Sequence, residues 1–216
     1  RRRRPRKIII DPENRLLWRM PLKRMEAELV RDTALWVAGR LNLTPFGPPD
    51  PVTVRKDGLV SAQLVSGGWR RSVYLRQRRK EFPTFLSTFD LPSMTPNCIE
   101  RPDSTVCSQA LHLMNNAMIR QLADYFAQRI QNEVGTDSYR QVEKVFQVVL
   151  NRMPTDEEKD LSHRTLIALK EAWEKNLNQD NPPEQDNPEN ANTASTKALA
   201  NFCHTMLNSA AFLYID

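Results

Sequence analysis

Apolar positions in the first third recur at helical spacing. Leu22, Met25, Leu29, Thr33, Trp36 and Val37 follow one another this way and Gly39 supplies a stop, so the pattern predicts a helix over about 22–38. Arg24, Glu28, Arg31 and Asp32 fall on its other side and are expected to form a solvated charged face. The second half is more strongly patterned. Thr105 is placed to cap a helix running through Met114, and Asn116 a second one carrying Ile119, Leu122, Ala123, Phe126 and Ile130, stopped by Gly135. Asp137 opens a third, with Val142, Val145, Phe146 and Val149 apolar, ending before Pro154. Thr155 with Glu158 reads as a capping box for a fourth, along Leu161, Thr165, Leu169 and Trp173. A last helix carries Leu199, Phe202, Cys203, Met206 and Leu207, and the apolar end Phe212-Leu213-Tyr214-Ile215 must pack somewhere.

Period-two patterning is confined to the region between these helices. Val52-Thr53-Val54, the Lys56-Asp57-Gly58 turn and Leu59 to Val65 predict a hairpin. RRSVYLRQRR, residues 70–79, alternates as a half-buried strand would. From Phe82 to Pro102, Phe82, Phe85 and Phe89 are interleaved with four prolines, which predicts an irregular segment pinned by its rings. Leu16-Leu17-Trp18 reads as an anchor, and the Asn, Asp, Gln and Pro-rich stretch 178–194 as a mobile surface loop. The fold class is therefore mainly α: one antiparallel helical domain over 11–216 with a small antiparallel β-hairpin or sheet insertion, behind a basic tail at 1–10.

Composition trims the function classes. A chain of 216 residues is long enough to bury roughly 70% of the surface its unfolded form exposes. No apolar run approaches the ~20 residues that cross a bilayer, so no membrane span is expected. The charge of +5 invites a nucleic-acid reading, but six of the 31 basic residues lie in the first seven positions, leaving 25 against 26 acids. A basic tail on a neutral body argues against nucleic acid as a partner. The chain starts at Arg1 with no methionine and no apolar core after its arginines, so it is expected to be a piece of something longer.

The segment from Cys98 to Asn116 concentrates polar residues ahead of a helix, yet carries no catalytic motif. Cys98, Cys107, His112, Cys203 and His204 lack the spacing of a structural zinc site, and no C-x-x-C-H haem attachment is present, so neither metal nor cofactor is expected in this chain. If the protein is exported, Cys98 and Cys107 are the pair placed to bridge. Ser104, His112 and Asp103 could be assembled only by folding, and Asp90 and Glu100 are the carboxylates to follow for glycoside chemistry. Arginines 70, 71, 76, 78 and 79 with Lys80 surround Tyr74, and guanidinium forks beside an aromatic face suit phosphate, sulfate or carboxylate. Arg101, amid prolines and turn residues, reads equally as a loop-fixing salt bridge or an anion ligand. The candidate ligand-binding residues are thus Arg71, Tyr74, Asp90 and Arg101.

Blocks in order along the chain carry a resemblance: DPENRLLWRM, RMEAELVRD, RRSVYLRQRR, Cys98-x-x-Arg101 with Ser104-Thr105, QAL, LMNN and the closing CHTMLNSAAFLYID. Over 11–216 they resemble the C-terminal domain of unknown function of planctomycete cytochrome-c-type multidomain proteins. Two positions depart from that pattern: Cys107 stands where proline is usual, and Asn151 where glycine is usual. The resemblance implies an extracytoplasmic setting, periplasmic or secreted, with upstream modules of the same protein as partners. Together the residues and the resemblance lead to an accessory or ligand-binding module, with an anionic glycan as the ligand class. Two alternatives stand beside it: a polysaccharide-acting hydrolase or redox enzyme domain, and a structural domain packing on the upstream modules.

Overall fold

The computed structural model describes residues 9–64, 68–78, 81–92, 98, 101, 103–180 and 188–215. The first pairing joins distant parts of the chain. Strand β1 (Lys23–Arg24) runs antiparallel to the last strand, Tyr214–Ile215, and Met25 N donates to Leu213 O at 2.8 Å. Because that ladder takes up residues 23–25, helix α1 spans Ala27–Val37 and not 22–38. Its inward face is also turned. Ala27, Val30, Arg31, Ala34, Leu35 and Val37 are buried, whereas Leu22, Leu29 and Trp36 are exposed. The charged face expected in solvent is partly internal, since Arg24 and Arg31 are only 5% and 1% exposed. The periodicity was set by the larger side chains; the packed stripe is set by the small ones, which let another helix approach.

Among the described residues the strands form three short pairs. β2 (Leu41–Asn42) lies parallel to β5 (Trp69–Arg70), and β3 (Val52–Val54) forms the expected hairpin with β4 (Val60–Ala62). The arginine-rich run is not one long strand. After Arg70 it turns into a 3₁₀ helix at Ser72–Tyr74, because the Ser72 amide and hydroxyl are both taken by Asp32 Oδ1, at 2.8 and 2.7 Å, and not by a strand partner. Within the Phe-rich segment, α2 (Thr84–Thr88) is helical, with Phe85 and Phe89 buried. Leu16 and Leu17 do not anchor anything: both are exposed, and their segment closes on Asp11, whose carboxylate accepts from Arg15 N and Leu16 N.

The helical half follows the caps. α3 (Cys107–Asn115) starts one residue later than a Thr105 cap would place it, with Val106 at the cap, because the Thr105 hydroxyl is bonded to that of Tyr214 at 2.8 Å. Cys107 is the first helical residue, the position where proline is at ease because its missing N–H has no partner there anyway. Asn116 Oδ1 accepts from Met118 N and Ile119 N and opens α4 (Ala117–Val134); Asp137 does the same for α5 (Ser138–Leu150). Asn151 ends α5 in the left-handed region, φ 51°, which asparagine and glycine share. Thr155 and Glu158 reciprocate as a capping box, at 2.9 and 3.2 Å, at the start of α6 (Asp156–Asp180). The buried line of α6 runs through Ser162 and Leu166, and Leu161 faces out.

α7 (Pro188–Leu207) buries Leu199, Phe202, Cys203, Met206 and Leu207 as expected, packs on α4 and α6, and leads into α8 (Ala210–Leu213) and β6 (Tyr214–Ile215). The supposed loop at 178–194 is helical on both flanks, with Ala194 fully buried; residues 181–187 lie outside the described residues. Helices hold 57% of the described residues, so the chain is mainly α with a small β insertion. Among the described residues no helix is long and apolar enough to cross a membrane.

Arg152 gives a pH handle. Both of its terminal nitrogens lie 2.7 Å from Glu158, and this pairing is the main reason the Glu158 carboxyl is lowered from 4.5 to about 2. A depressed carboxyl contributes stability that is full above its unfolded pKa and is lost as pH falls through the folded one. The pair is largely solvated, so its contribution should be at most about 1 kcal/mol. Urea titrations of wild type and Glu158→Gln should differ by that amount at pH 6 and converge toward pH 2; a difference unchanged across this range would contradict the assignment.

Candidate functional site

The inward turn of α1 puts a guanidinium in the core. Arg31 Nη1 donates to Arg70 O at 3.0 Å and Ser72 Oγ at 3.2 Å, with Asp32 Oδ1 at 3.4 Å. Its Nη2 has no partner. Burial pulls the Arg31 pKa down to about 10 against the nearby Asp32 and Asp50 charges, so the group is still a cation at neutral pH. Arg70, next to it, is held by Asp50, with Nε–Oδ1 at 2.8 Å, and donates to Phe46 O and Pro48 O.

Beside Arg31 lies a cavity of about 330 Å³, within the usual range of about 300–1,000 Å³ for ligand pockets. It opens between the hairpin, α2 and the α3–α4 junction. Trp69, 4% exposed, contributes a second buried donor without a partner, its indole Nε1. Trp69 sits there because of Gly68. At φ +116° that residue is in a region L side chains rarely adopt, and a Cβ on it would lie 2.6 Å from Arg40 O, the acceptor of Trp69 N. At the α3–α4 junction, the cap fixes the Asn116 amide: its Oδ1 faces the α4 amides, so its Nδ2 donates to His112 Nε2 at 2.8 Å. His112 is thereby neutral with its proton on Nδ1, and burial lowers its pKa. Arg55, paired with Asp57 at 2.6 Å, completes the basic lining, and none of the described residues lining the cavity is acidic.

The four residues singled out from the sequence are distributed otherwise. Asp90 is a hub, in left-handed conformation at φ 64°: it is 2.6 Å from Arg24 Nη2 and accepts from Ser104 N and Ser104 Oγ. Arg101 donates to both oxygens of Glu28, at 2.9 and 3.0 Å, and lies 3.1 Å from Glu26. Asp90 and Arg101 share a cleft of only about 40 Å³. Arg71 is exposed, 3.8 Å from Asp32, one helical turn from the Glu28 that Arg101 holds. Tyr74 is elsewhere, under the Arg70 guanidinium and accepting from Phe46 N. The basic patch is likewise dispersed, because Arg70 is internal, Arg78 pairs with Glu81, and residues 79 and 80 lie outside the described residues.

Other candidates are also apart. Ser104 is committed to Asp90, Asp103 lies 3.5 Å from Arg24 Nε, and His112 faces the cavity. Glu100 lies outside the described residues. Cys98 and Cys107 are exposed and form no disulfide, and Cys203 is a buried thiol whose pKa burial raises well above the ordinary value. Among the described residues no three His, Cys, Asp or Glu side chains converge as metal ligands. Sequence reasoning missed Arg31 and Trp69. The available signals were the Gly67-Gly68-Trp69 step and the spacing of Ala27, Val30, Ala34 and Val37, which places Arg31 on the small-residue face.

Two contrasts test this geometry. Arg24→Met leaves the Asp90 carboxylate without its buried cation and should destabilise the fold by about 3–5 kcal/mol; Arg101→Ala, at a solvated pair, should cost about 1 kcal/mol or less. Equal midpoints for the two variants in urea would refute the hub. Gly68→Ala should cost about 1–3 kcal/mol, and a neutral effect in the same titration would refute the close approach to Arg40 O.

The chain matches a family described as PSD1, Protein of unknown function (DUF1553), over residues 1–166. No curated protein and no solved structure matches it. The matched span takes in Arg24, Arg31, Asp90 and every described residue lining the cavity, and it ends within α6. With more than half of its length so matched, the chain belongs to the DUF1553 family of proteins of unknown function.

Proposed function

We propose that the chain is an accessory, ligand-binding module of an exported multidomain protein, and that its ligand is an organic anion taken into the cavity beside Arg31. The observation that carries this reading is that two residues lining the cavity, Arg31 and Trp69, each carry a buried donor without a partner, Nη2 and Nε1. Native interiors rarely leave such groups unmatched, and an empty donor in a cavity is a standing demand for an acceptor. The basic lining, without an acid among its described residues, supports a negative ligand. The exported setting, with a cytochrome-c-like module upstream and the rest of that protein as partner, rests on the resemblance of the sequence blocks to planctomycete cytochrome-c-type proteins. Binding is favoured over catalysis by the commitments of the reactive groups: Ser104 to Asp90 and His112 to Asn116.

A thermal-shift screen tests the reading. The panel should hold small carboxylates, uronic acids and sulfated sugars beside neutral sugars and alcohols. At 100 times its dissociation constant, a ligand of the native state stabilises by about 2.7 kcal/mol, a rise of roughly 5–10 °C in Tm for a chain of this size. At least one anionic compound is expected to give it. A response confined to neutral compounds, or none at all, would refute the proposal.

A further inference from the structure

We infer that the ligand of this cavity is a monocarboxylate with an apolar, aryl-sized body, its carboxylate received by Arg31 Nη2 and Trp69 Nε1. The inference rests on the reading of the cavity as a ligand site, and adds the class of molecule. The head group follows from the donors. Arg31 and Trp69 both line the cavity, both are more than nine-tenths buried, and each has an N–H without an acceptor. A carboxylate offers two oxygens with about four lone-pair directions and no donor, so one group can satisfy both without introducing an unmatched hydrogen. An alcohol or amide brings a donor hydrogen for which the described lining offers only neutral acceptors such as Ser61 and Gln121, and no carboxylate.

Charge points the same way. In the cluster around Arg31, three guanidiniums (Arg31, Arg70, Arg71) face two carboxylates (Asp32, Asp50). The first turn of the 18-residue helix α4 also borders the cavity, through Ala117 and Met118; its Met118 and Ile119 amides are taken by the Asn116 cap, so what it adds for an anion is the helix dipole. The opposing acids Glu26 and Glu28 do not line the cavity and are taken up by Arg101.

The body follows from size and walls. An apolar cavity of about 150 Å³ accepts benzene, so about 330 Å³ holds a ring and a short arm. Val60, Leu75, Phe85, Leu86 and Met118 supply apolar walls. The hydroxyls of a glycan residue would be desolvated against them at a cost in unmade hydrogen bonds, which is why the aryl acid is favoured over an acidic sugar.

Calorimetric titration of the full chain with 3-phenylpropionate, 3-phenylpropionamide and 3-phenylpropan-1-ol tests the inference, and this series needs no variant. The acid should bind at least tenfold more tightly than either neutral analogue. Trp69→Phe keeps the ring and removes the N–H, and should weaken the acid roughly ten- to a hundredfold while leaving the amide within threefold. In wild type, the Trp69 indole N–H resonance should move on adding the acid. Equal affinity of acid and amide, or an indole signal indifferent to the acid, overturns the carboxylate inference while the ligand site stands. Binding of uronic acids but not of 3-phenylpropionate overturns the apolar body. If nothing in this series and nothing in the wider anionic panel binds, the reading of the cavity itself falls.

Discussion

A cation in the core, Arg31 of α1, is the interaction around which the N-terminal half is arranged. Removing a guanidinium from water is expensive unless its hydrogens and charge are met. Here the adjacent Asp32 is joined by groups from a distant part of the chain, the Arg70 carbonyl and the Ser72 hydroxyl. These contacts dictate that the chain turn at Ser72 where a strand would otherwise continue. They bring β5 under α1, and with it Trp69. The same demand is left unmet at Nη2, on a residue that also lines the cavity.

A second buried cation lies just ahead of α1. Arg24, in the strand that pairs with the chain's end, reaches Asp90 after α2, and Asp90 in turn holds Ser104 ahead of α3. Three segments far apart in sequence are thereby tied at one carboxylate. Such pairs are poor evidence for net stability, because desolvation offsets their attraction, yet they discriminate strongly against arrangements that leave either member alone. Asp90 therefore reads as an architectural residue. Arg101, exposed and clamping Glu28, fixes the loop to α1 at little energetic consequence.

Much of the helical half was legible because its signals are local. The Asn116 and Asp137 caps and the Thr155–Glu158 box each satisfy amides within three residues of themselves, so short-range pattern suffices to find them. Thr105 shows the limit. Its hydroxyl had an equally good partner in Tyr214, more than a hundred residues away, and no window on the sequence contains both. The arginine-rich run failed similarly: alternation is a rule about strands with partners, and Ser72 was claimed by a helix carboxylate instead.

The sequence by itself determined the class of the fold, the caps and order of its later helices, the hairpin, and the absence of any long apolar helix, since these depend on contacts between near neighbours and on the periodicity of burial. Only the tertiary structure decided which arginines are solvent and which are core. A charged side chain in a helical pattern carries no mark of its fate; that depends on whether remote backbone carbonyls and carboxylates converge on it. Arg71 and Arg101, prominent in sequence, are at the surface in ion pairs. Arg31, inconspicuous among the charges of α1, became the buried cation with a donor to spare, because Asp32, Arg70 and Ser72 meet around it only once the chain has folded.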